Sequence, residues 1–285
     1  MSNKLPAQNE VLEANIEVHS ALANSGEYNR SPHFRPENQQ KVRSILERLV
    51  SEAPLKADSK LLDLGCGTGF IVHLVADLVA EVQGVDITND MMSQIDLSKG
   101  NITLQLAQAE DVPFSDDNFD LVTAYSFMDH LLDYKLVIDE AFRVLKNGGI
   151  FYSDLNPNRG FSSLLESIEG KNYTEELPHS VSREIKGMLH NGEYYKEEFG
   201  LSEDSLTKAE PEKSFNRGFD AQEVSKYAKK IGFSKVQIQF DWFLGQGVLL
   251  NSNSTVDLDS VDSYLQQMLP ASEGFYKYLR FIFVK

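Results

Sequence analysis

Cysteine is almost absent from this sequence of 285 residues, in which Cys66 is the only one. No disulfide can form within the chain, and no cluster of cysteine and histidine has the spacing of a structural zinc site. No cluster of carboxylates stands out as a site for a divalent metal. We therefore predict a cytoplasmic protein that holds no metal ion.

Basic residues are scarce relative to acidic ones. The 27 lysines and arginines stand against 43 aspartates and glutamates, which gives a formal net charge of −16. This excess repels nucleic acid phosphates and anionic membrane surfaces, and no local basic cluster offsets it. We therefore predict neither a nucleic acid nor a membrane as a partner.

Long apolar runs are also missing. No run approaches the roughly 20 residues that a membrane helix needs, and the polar segment Met1–Glu10 is unlike a secretory signal. Hydrophobic residues nevertheless make up 41% of the chain and aromatic residues 10%. That composition is sufficient for a globular core.

The sequence shows instead a regular alternation of helix-like and strand-like segments. The apolar periodicity predicts helices over Glu37–Ser51, Phe70–Val79, Asn89–Leu97, Lys135–Leu145, Ala221–Lys230 and Val261–Met268. Apolar runs predict strands over Lys60–Leu64, Val82–Asp86, Ile102–Ala107, Phe119–Ala124, Gly149–Leu155, Val236–Phe240 and Leu279–Val284. This order is typical of an α/β fold in which helices cover both faces of a parallel sheet.

A glycine-rich stretch, LLDLGCGTG over Leu61–Gly69, follows the first strand. Its alternate glycines let the backbone turn sharply and approach a ligand, and amides at the start of the next helix suit an anionic group. The spacing differs from the G-x-G-x-x-G of nicotinamide-binding proteins, and Asp63 would repel a pyrophosphate. An acid there suits a ligand with an amino group beside its carboxylate, such as the methionine part of S-adenosylmethionine.

A second acid follows one βα unit later. Asp86 lies seventeen residues past Gly69, at the end of an apolar strand. In a doubly wound sheet, a carboxylate at this position can accept hydrogen bonds from both ribose hydroxyls. A glycine loop alone is a weak signal, whereas the loop and the two acids together strongly indicate a nucleoside ligand.

These motifs resemble those of class I S-adenosylmethionine-dependent methyltransferases, particularly the group acting on small molecules. The resemblance is close over Leu61–Leu155 and looser over Phe215–Phe240. It implies that S-adenosylmethionine is the cofactor and that it is bound by Asp63, Gly65, Cys66, Gly67, Gly69, Asp86, Ile87, Met91, Gln108, Ala109 and Glu110. Gln108 stands where the family often has aspartate, and its side-chain oxygen can accept the same hydrogen bond from the adenine amino group.

The resemblance also implies a Rossmann-like sheet of seven strands whose last strand is antiparallel. It divides the chain into an N-terminal helical segment covering the cofactor site (1–55), a cofactor-binding core (56–156), an inserted lid (157–214) and the C-terminal part of the core (215–285). The insertion is acidic and holds Phe161, Tyr173, Tyr194, Tyr195 and Phe199. These aromatic residues favour a lid that lines the acceptor pocket over a disordered loop.

The catalytic candidates are His130 and Tyr125, which lie near the end of the fourth strand. His130 follows this strand at the edge of the sheet where ligands of open α/β folds bind, and histidine can take a proton from a hydroxyl or ammonium nucleophile. The alternative is a histidine that caps the next helix or shapes the pocket. Tyr125 leaves the strand at a position that, by the resemblance, lies near the sulfonium. For Cys66 we expect packing rather than chemistry.

The predicted function is methyl transfer from S-adenosylmethionine to an oxygen, nitrogen or carbon atom of a small molecule. The alternatives are a methyltransferase acting on protein or RNA, a non-catalytic regulator that binds S-adenosylmethionine, and a nicotinamide dehydrogenase, which the glycine spacing disfavours. The sequence leaves open whether the protein is a monomer or a homodimer.

Overall fold

The computed structural model describes residues 5–26, 35–52, 58–169, 182, 192–250 and 255–285. Within these ranges one sheet of seven strands has the order β3-β2-β1-β4-β5-β7-β6. The strands are β1 (Lys60–Leu64), β2 (Glu81–Asp86), β3 (Ile102–Leu106), β4 (Phe119–Tyr125), β5 (Leu145–Pro157), β6 (Lys235–Phe243) and β7 (Tyr276–Val284). Strands β1 to β5 pair in parallel, and β7 is antiparallel to both of its neighbours. The predicted Rossmann-like sheet is confirmed.

The helices in the described ranges cover both faces of this sheet. They are α1 (Gln8–Ser25), α2 (Pro36–Glu52), α3 (Phe70–Val75), α4 (Asn89–Met92), α5 (Tyr134–Val144), α6 (Arg159–Glu169), α7 (Gly192–Phe199), α8 (Glu203–Ala209), α9 (Pro211–Ser214), α10 (Ala221–Ile231), α11 (Gln246–Leu250) and α12 (Leu258–Gln267). None of them is long and apolar enough to cross a bilayer.

The central strands are buried on both sides because successive side chains of a strand point to opposite faces. Leu61 of β1 packs in a cluster with α2 and α3. Its neighbours Leu62 and Leu64 pack in a second cluster with α5 and α10. Every residue of β4 is buried, which explains why this strand is a continuous apolar run rather than an alternating one.

Two helices after the glycine loop are shorter than their periodicity predicts. Helix α3 ends at Val75, and α4 ends at Met92. Beyond each end the chain continues in tighter turns, in which Leu78 N donates to Val75 O (2.8 Å) and Ile95 N donates to Met92 O (3.1 Å). These bonds span three residues rather than four, so the apolar pattern persists without a regular α-helix.

Helix α1 and the segment after β5 pack against each other. In this segment the structure describes α6 to α9, whereas Tyr173 and the side chain of Tyr194 lie outside the described residues. Contacts between α1 and α8 enclose a small apolar cluster of Ala14, Val18, Leu201, Leu206 and Ala209. The two helices thereby form a roof above the carboxyl ends of β1, β2 and β4. The four-part division of the chain stays a prediction.

Candidate active site

The loop between β1 and α3 forms the floor of a cavity. Gly65 and Gly67 lie on the cavity wall with φ angles of 66° and 52°. A Cβ atom on Gly65 would lie 2.2 Å from the ring of Phe127, and one on Gly67 would lie 2.9 Å from Cε of Met91. The loop therefore requires glycine at both positions. Phe127 and Met91 fill the space that side chains would take there, while the loop itself lies on the cavity wall.

Asp86 lies at the end of β2, beside this loop and on the cavity wall. Its Oδ2 accepts a hydrogen bond from Gly67 N (2.9 Å), and its Oδ1 accepts one from Thr88 N (2.8 Å). Burial raises the pKa of Asp86, and these amide donors act in the opposite direction. Each carboxylate oxygen retains capacity for a further donor. The arrangement fits a ribose with two neighbouring hydroxyls.

Asp63 and Cys66 are less accessible than the sequence suggests. The carboxyl group of Asp63 is outside the cavity lining, where Thr123 Oγ1 donates to its Oδ1 (2.6 Å). Burial raises the pKa of Asp63 to about 7. Cys66 lines the cavity, but burial raises the pKa of its thiol well above the ordinary value. A thiol that keeps its proton is a poor nucleophile, which supports the packing role expected for it.

Most of the predicted adenine-binding residues line the cavity, namely Ile87, Met91, Ala109 and Glu110. Gln108 is exposed and outside this lining. Gly69 is also outside it, because it begins α3 with φ 87° and faces His73 and Ile95.

The two predicted catalytic residues also lie on the cavity wall. Tyr125, at the end of β4, stacks on Phe70 with 4.8 Å between ring centroids, and its hydroxyl accepts a hydrogen bond from Asn38 (3.1 Å). Burial raises the pKa of this hydroxyl, so it keeps its proton near neutral pH. Tyr125 and His130 both line the cavity.

His130 closes a short 3₁₀ turn, Met128–His130, and its ring is fixed by a backbone carbonyl. Nδ1 of His130 lies 2.8 Å from the carbonyl oxygen of Ala209. Because a carbonyl oxygen only accepts, Nδ1 must carry the proton and donate it. The neutral ring therefore has its lone pair on Nε2, the atom that can accept a proton from a nucleophile.

Sequence reasoning missed two ionisable residues beside His130, His19 and Glu210, which also line the cavity. His19 belongs to α1, whose residues Gln8, Val11, Leu12, Asn15, Val18 and Leu22 also line the cavity. Their spacing of three and four residues is the signal that marks one helix face. Glu210 follows α8 within the insertion, where the sequence offers no comparable pattern.

Asp129, His130 and Glu210 form the acid–histidine cluster found among the described residues, with one ligand atom from each within 4.8 Å of the others. Burial raises the pKa of Asp129. Glu210 already has a cationic partner, because Lys213 Nζ donates to its Oε2 (2.7 Å). Burial lowers the pKa of Lys213, but the contact with Glu210 outweighs this effect and raises the pKa to about 12. The ammonium group of Lys213 thus already compensates the charge of Glu210.

The roof of α1 and α8 completes a cavity of about 480 Å³. Two polar contacts join these helices at the surface: Ser205 Oγ donates to Glu17 (2.8 Å), and Lys208 pairs with Glu10 (3.2 Å). A cavity of this size lies within the range of small-molecule and cofactor sites.

Comparison with known proteins places the site in a family context. Residues 62–153 match the family model described as a methyltransferase domain. The chain is 34% identical over 108 residues to the uncharacterized methyltransferase YcgJ of Bacillus subtilis, covering 36% of this chain and 43% of that protein. It is 27% identical over 215 residues to the ubiquinone biosynthesis O-methyltransferase of Pseudomonas fluorescens, covering 68% of this chain and 89% of that protein.

Solved structures share the fold. The phosphoethanolamine N-methyltransferase 2 of Haemonchus contortus in complex with S-adenosyl-L-methionine has a TM-score of 0.55 at 16% identity, covering 99% of this chain and 60% of that one. An S-adenosylmethionine-dependent methyltransferase of Archaeoglobus fulgidus has a TM-score of 0.50 at 16% identity, covering 87% and 94%.

The sheet with its antiparallel β7, the glycine loop beside Asp86 and the matching domain define the class of the protein. The chain contains a methyltransferase domain of the class I, S-adenosylmethionine-dependent type. Its cofactor is S-adenosylmethionine, and the findings support a methyltransferase enzyme.

Proposed function

We propose that the enzyme methylates a hydroxyl or amino group of a small molecule, with His130 as the general base. The observation that carries this proposal is that Asp86 and His130 lie on the walls of one roofed cavity. A cofactor and a small acceptor share this space, whereas a folded macromolecule would need the roof of α1 and α8 to be displaced.

Asp86 would hold the ribose of the cofactor, and Ile87, Met91 and Ala109 would surround its adenine. Gly65 and Gly67 would bind its amino-acid part, with Asp63 supporting their loop. S-adenosylmethionine supplies a methyl group activated by a positively charged sulfur. The protein has to hold the nucleophile in line with that methyl group and exclude water, and orientation alone can supply roughly 7–11 kcal/mol of a barrier.

His130 removes the proton of the nucleophile. Ala209 holds the imidazole with its proton on Nδ1, so Nε2 accepts the proton as the bond between the nucleophile and the methyl group forms. The buried side chain of Asp129, whose Oδ1 lies 3.9 Å from Nε2, favours the resulting imidazolium. Tyr125 keeps its own proton and contacts the reacting groups without serving as a base.

The charges in the cavity favour a neutral or cationic acceptor. The lining residues that the structure describes include Asp86, Glu110 and Glu210, of which Glu210 is paired with Lys213 outside the lining, and no lysine or arginine. An acceptor carrying a carboxylate or phosphate would be desolvated there without a cationic partner, which costs several kcal/mol. The similarity to an O-methyltransferase of ubiquinone biosynthesis agrees with a small acceptor.

The test is turnover with labelled S-adenosylmethionine and acceptors in matched pairs, such as a phenol with its carboxylated analogue and an alkylamine with the corresponding amino acid. We expect methylation of at least one uncharged or cationic member and little of its anionic partner. We expect His130→Ala to lower turnover about 10²-fold to 10⁴-fold, with unchanged affinity for S-adenosylhomocysteine. Equal methylation within every pair would disprove the charge argument, and normal turnover of the variant would remove His130 as the base.

A further inference from the structure

A second histidine lies against the ring of His130. Nε2 of His19 is 3.4 Å from Nδ1 of His130, and the two rings meet edge to face with 4.7 Å between their centroids. Asn15, one helical turn before His19, donates from Nδ2 to the backbone carbonyl of His130 (3.2 Å). Helix α1 therefore contacts both the ring and the main chain of the proposed base.

The contact has a defined polarity. Because the carbonyl of Ala209 favours the proton on Nδ1 of His130, a hydrogen bond between the two rings has Nε2 of His19 as its acceptor. Burial, followed by the neighbouring His130, lowers the pKa of His19 to about 3, although Glu210 acts in the opposite direction. His19 is therefore neutral at working pH and offers a lone pair to the His130 ring.

Charged groups face this pair from the other packed elements. Asp129 is on the same 3₁₀ turn as His130, and Glu210 and Lys213 come from the chain around α9. Glu210 and Lys213 form an ion pair with each other, so they largely compensate one another. Helix α1 contributes the neutral ring of His19 to the surroundings of His130.

We propose that His19 is a positioning residue for the methyl transfer, holding the ring of His130 so that Nε2 faces the acceptor. This inference rests on the proposed role of His130 as the base. The Nδ1 proton is shared between Ala209 O and His19 Nε2, and both acceptors remain in place when His130 becomes an imidazolium. A ring without them could rotate, or could carry its proton on Nε2, where it cannot act as a base.

Helix α1 also contacts the predicted adenine-binding segments on both sides of His19. Gln8, at the start of α1, donates to Glu110 (3.2 Å), and Gln8 and His19 are eleven positions apart, a rise of about 16 Å. Beyond His19, Asn24 donates to Asp90 of α4 (3.2 Å). These contacts hold the helix at both ends and thereby fix the position of His19.

The test compares His19→Phe with His19→Gln. Phenylalanine keeps the ring shape and the apolar packing but removes the lone pair, whereas the Gln Oε1 can restore an acceptor near the position of Nε2. Ile16→Ala serves as the matched control, because Ile16 is on the same helix but partly exposed and outside the cavity lining. Turnover is measured with the acceptor found above, and affinity for S-adenosylhomocysteine is measured by calorimetry.

The second readout is the ¹⁵N NMR spectrum of the cofactor-free protein, in which the His130 signals are assigned by their loss in His130→Gln. We expect His19→Phe to lower kcat about tenfold and to introduce a minor Nε2-protonated tautomer of His130, because the carbonyl of Ala209 then holds the Nδ1 proton without His19. Cofactor affinity should stay within twofold of wild type. We expect His19→Gln to recover most of both properties and Ile16→Ala to resemble the wild type.

Wild-type turnover and an unchanged tautomer in His19→Phe would overturn the proposal. Equal loss in His19→Phe and His19→Gln would also overturn it, since shape alone would then matter. If His19→Phe does not fold, the ¹⁵N spectrum of His130 in His19→Gln decides whether the proposal holds. A mixture of the two His130 tautomers in that variant contradicts the proposal. The NMR readout needs no turnover, so these outcomes are separate from the failure of His130 as a base, which His130→Ala reports.

Discussion

Replacing Asp86 tests the cofactor site most directly. Its carboxylate accepts hydrogen bonds from Gly67 N and Thr88 N, and in the proposed complex it also accepts from two ribose hydroxyls. A hydrogen bond to a charged group contributes about 1.5–3 kcal/mol. Loss of both ribose contacts in Asp86→Ala should therefore cost about 3–6 kcal/mol of binding, which raises Kd roughly 10²-fold to 10⁴-fold.

The same substitution should destabilise the protein, because it leaves two loop amides without their acceptor at about 1–3 kcal/mol each. Asp86→Asn is the matched variant, since it keeps one acceptor oxygen and the side-chain shape. Calorimetric titration with S-adenosylhomocysteine should rank the affinities as wild type, then asparagine, then alanine, and thermal unfolding should separate binding loss from unfolding. Wild-type Kd values in both folded variants would refute the assignment of the ribose to Asp86.

Three further predictions concern the floor and walls of the cavity. Burial raises the pKa of Asp63 to about 7, so the protonated group stabilises the fold at a pH below its ordinary pKa, and this contribution is lost as the pH rises to 7. Relative to Asp63→Asn, the unfolding free energy of the cofactor-free wild type should fall by about 4 kcal/mol over this range. A difference between the two proteins that does not change with pH in denaturant titrations would contradict this prediction. Gly65→Ala should weaken cofactor binding more than tenfold and lower the Tm because its Cβ would meet Phe127. Gly100 has a φ angle of 77° but open space where its Cβ would lie, so Gly100→Ala should show only the backbone strain of about 1–2 kcal/mol. Equal effects of the two substitutions would show that the contact with Phe127 is unimportant. Tyr125→Phe should lose one hydrogen bond, about 1 kcal/mol of stability, and change kcat by less than about threefold, and a loss as large as that of His130→Ala would mean that the hydroxyl takes part in the proton transfer.

The sequence predicts the sheet and the cofactor floor because both depend on local order. A strand, a glycine loop and a helix follow one another directly, and Asp86 comes one βα unit later, so parallel pairing of β1 and β2 brings the second acid beside the loop. The positions of Gly65, Gly67 and Asp86 on one cavity wall follow from that topology.

The remaining features of the site depend on contacts that no local pattern contains. His19 and His130 are 111 residues apart, and the helical spacing within α1 shows an apolar face without showing what covers it. The burial of Asp63 depends on Thr123 of the neighbouring strand. Gln108 occupies the right place in its motif, yet the strand end directs it to the surface.

The seam between α1 and α8 has a consequence for the catalytic cycle. Its polar contacts, Ser205 with Glu17 and Lys208 with Glu10, are at the protein surface, where such pairs contribute little and are screened by salt. We therefore expect added salt to weaken the polar part of the seam and to leave the apolar cluster of Ala14, Val18 and Leu206 as its main support. Because His19 belongs to the same helix and contacts His130, any separation of the two helices would also change the surroundings of the proposed base.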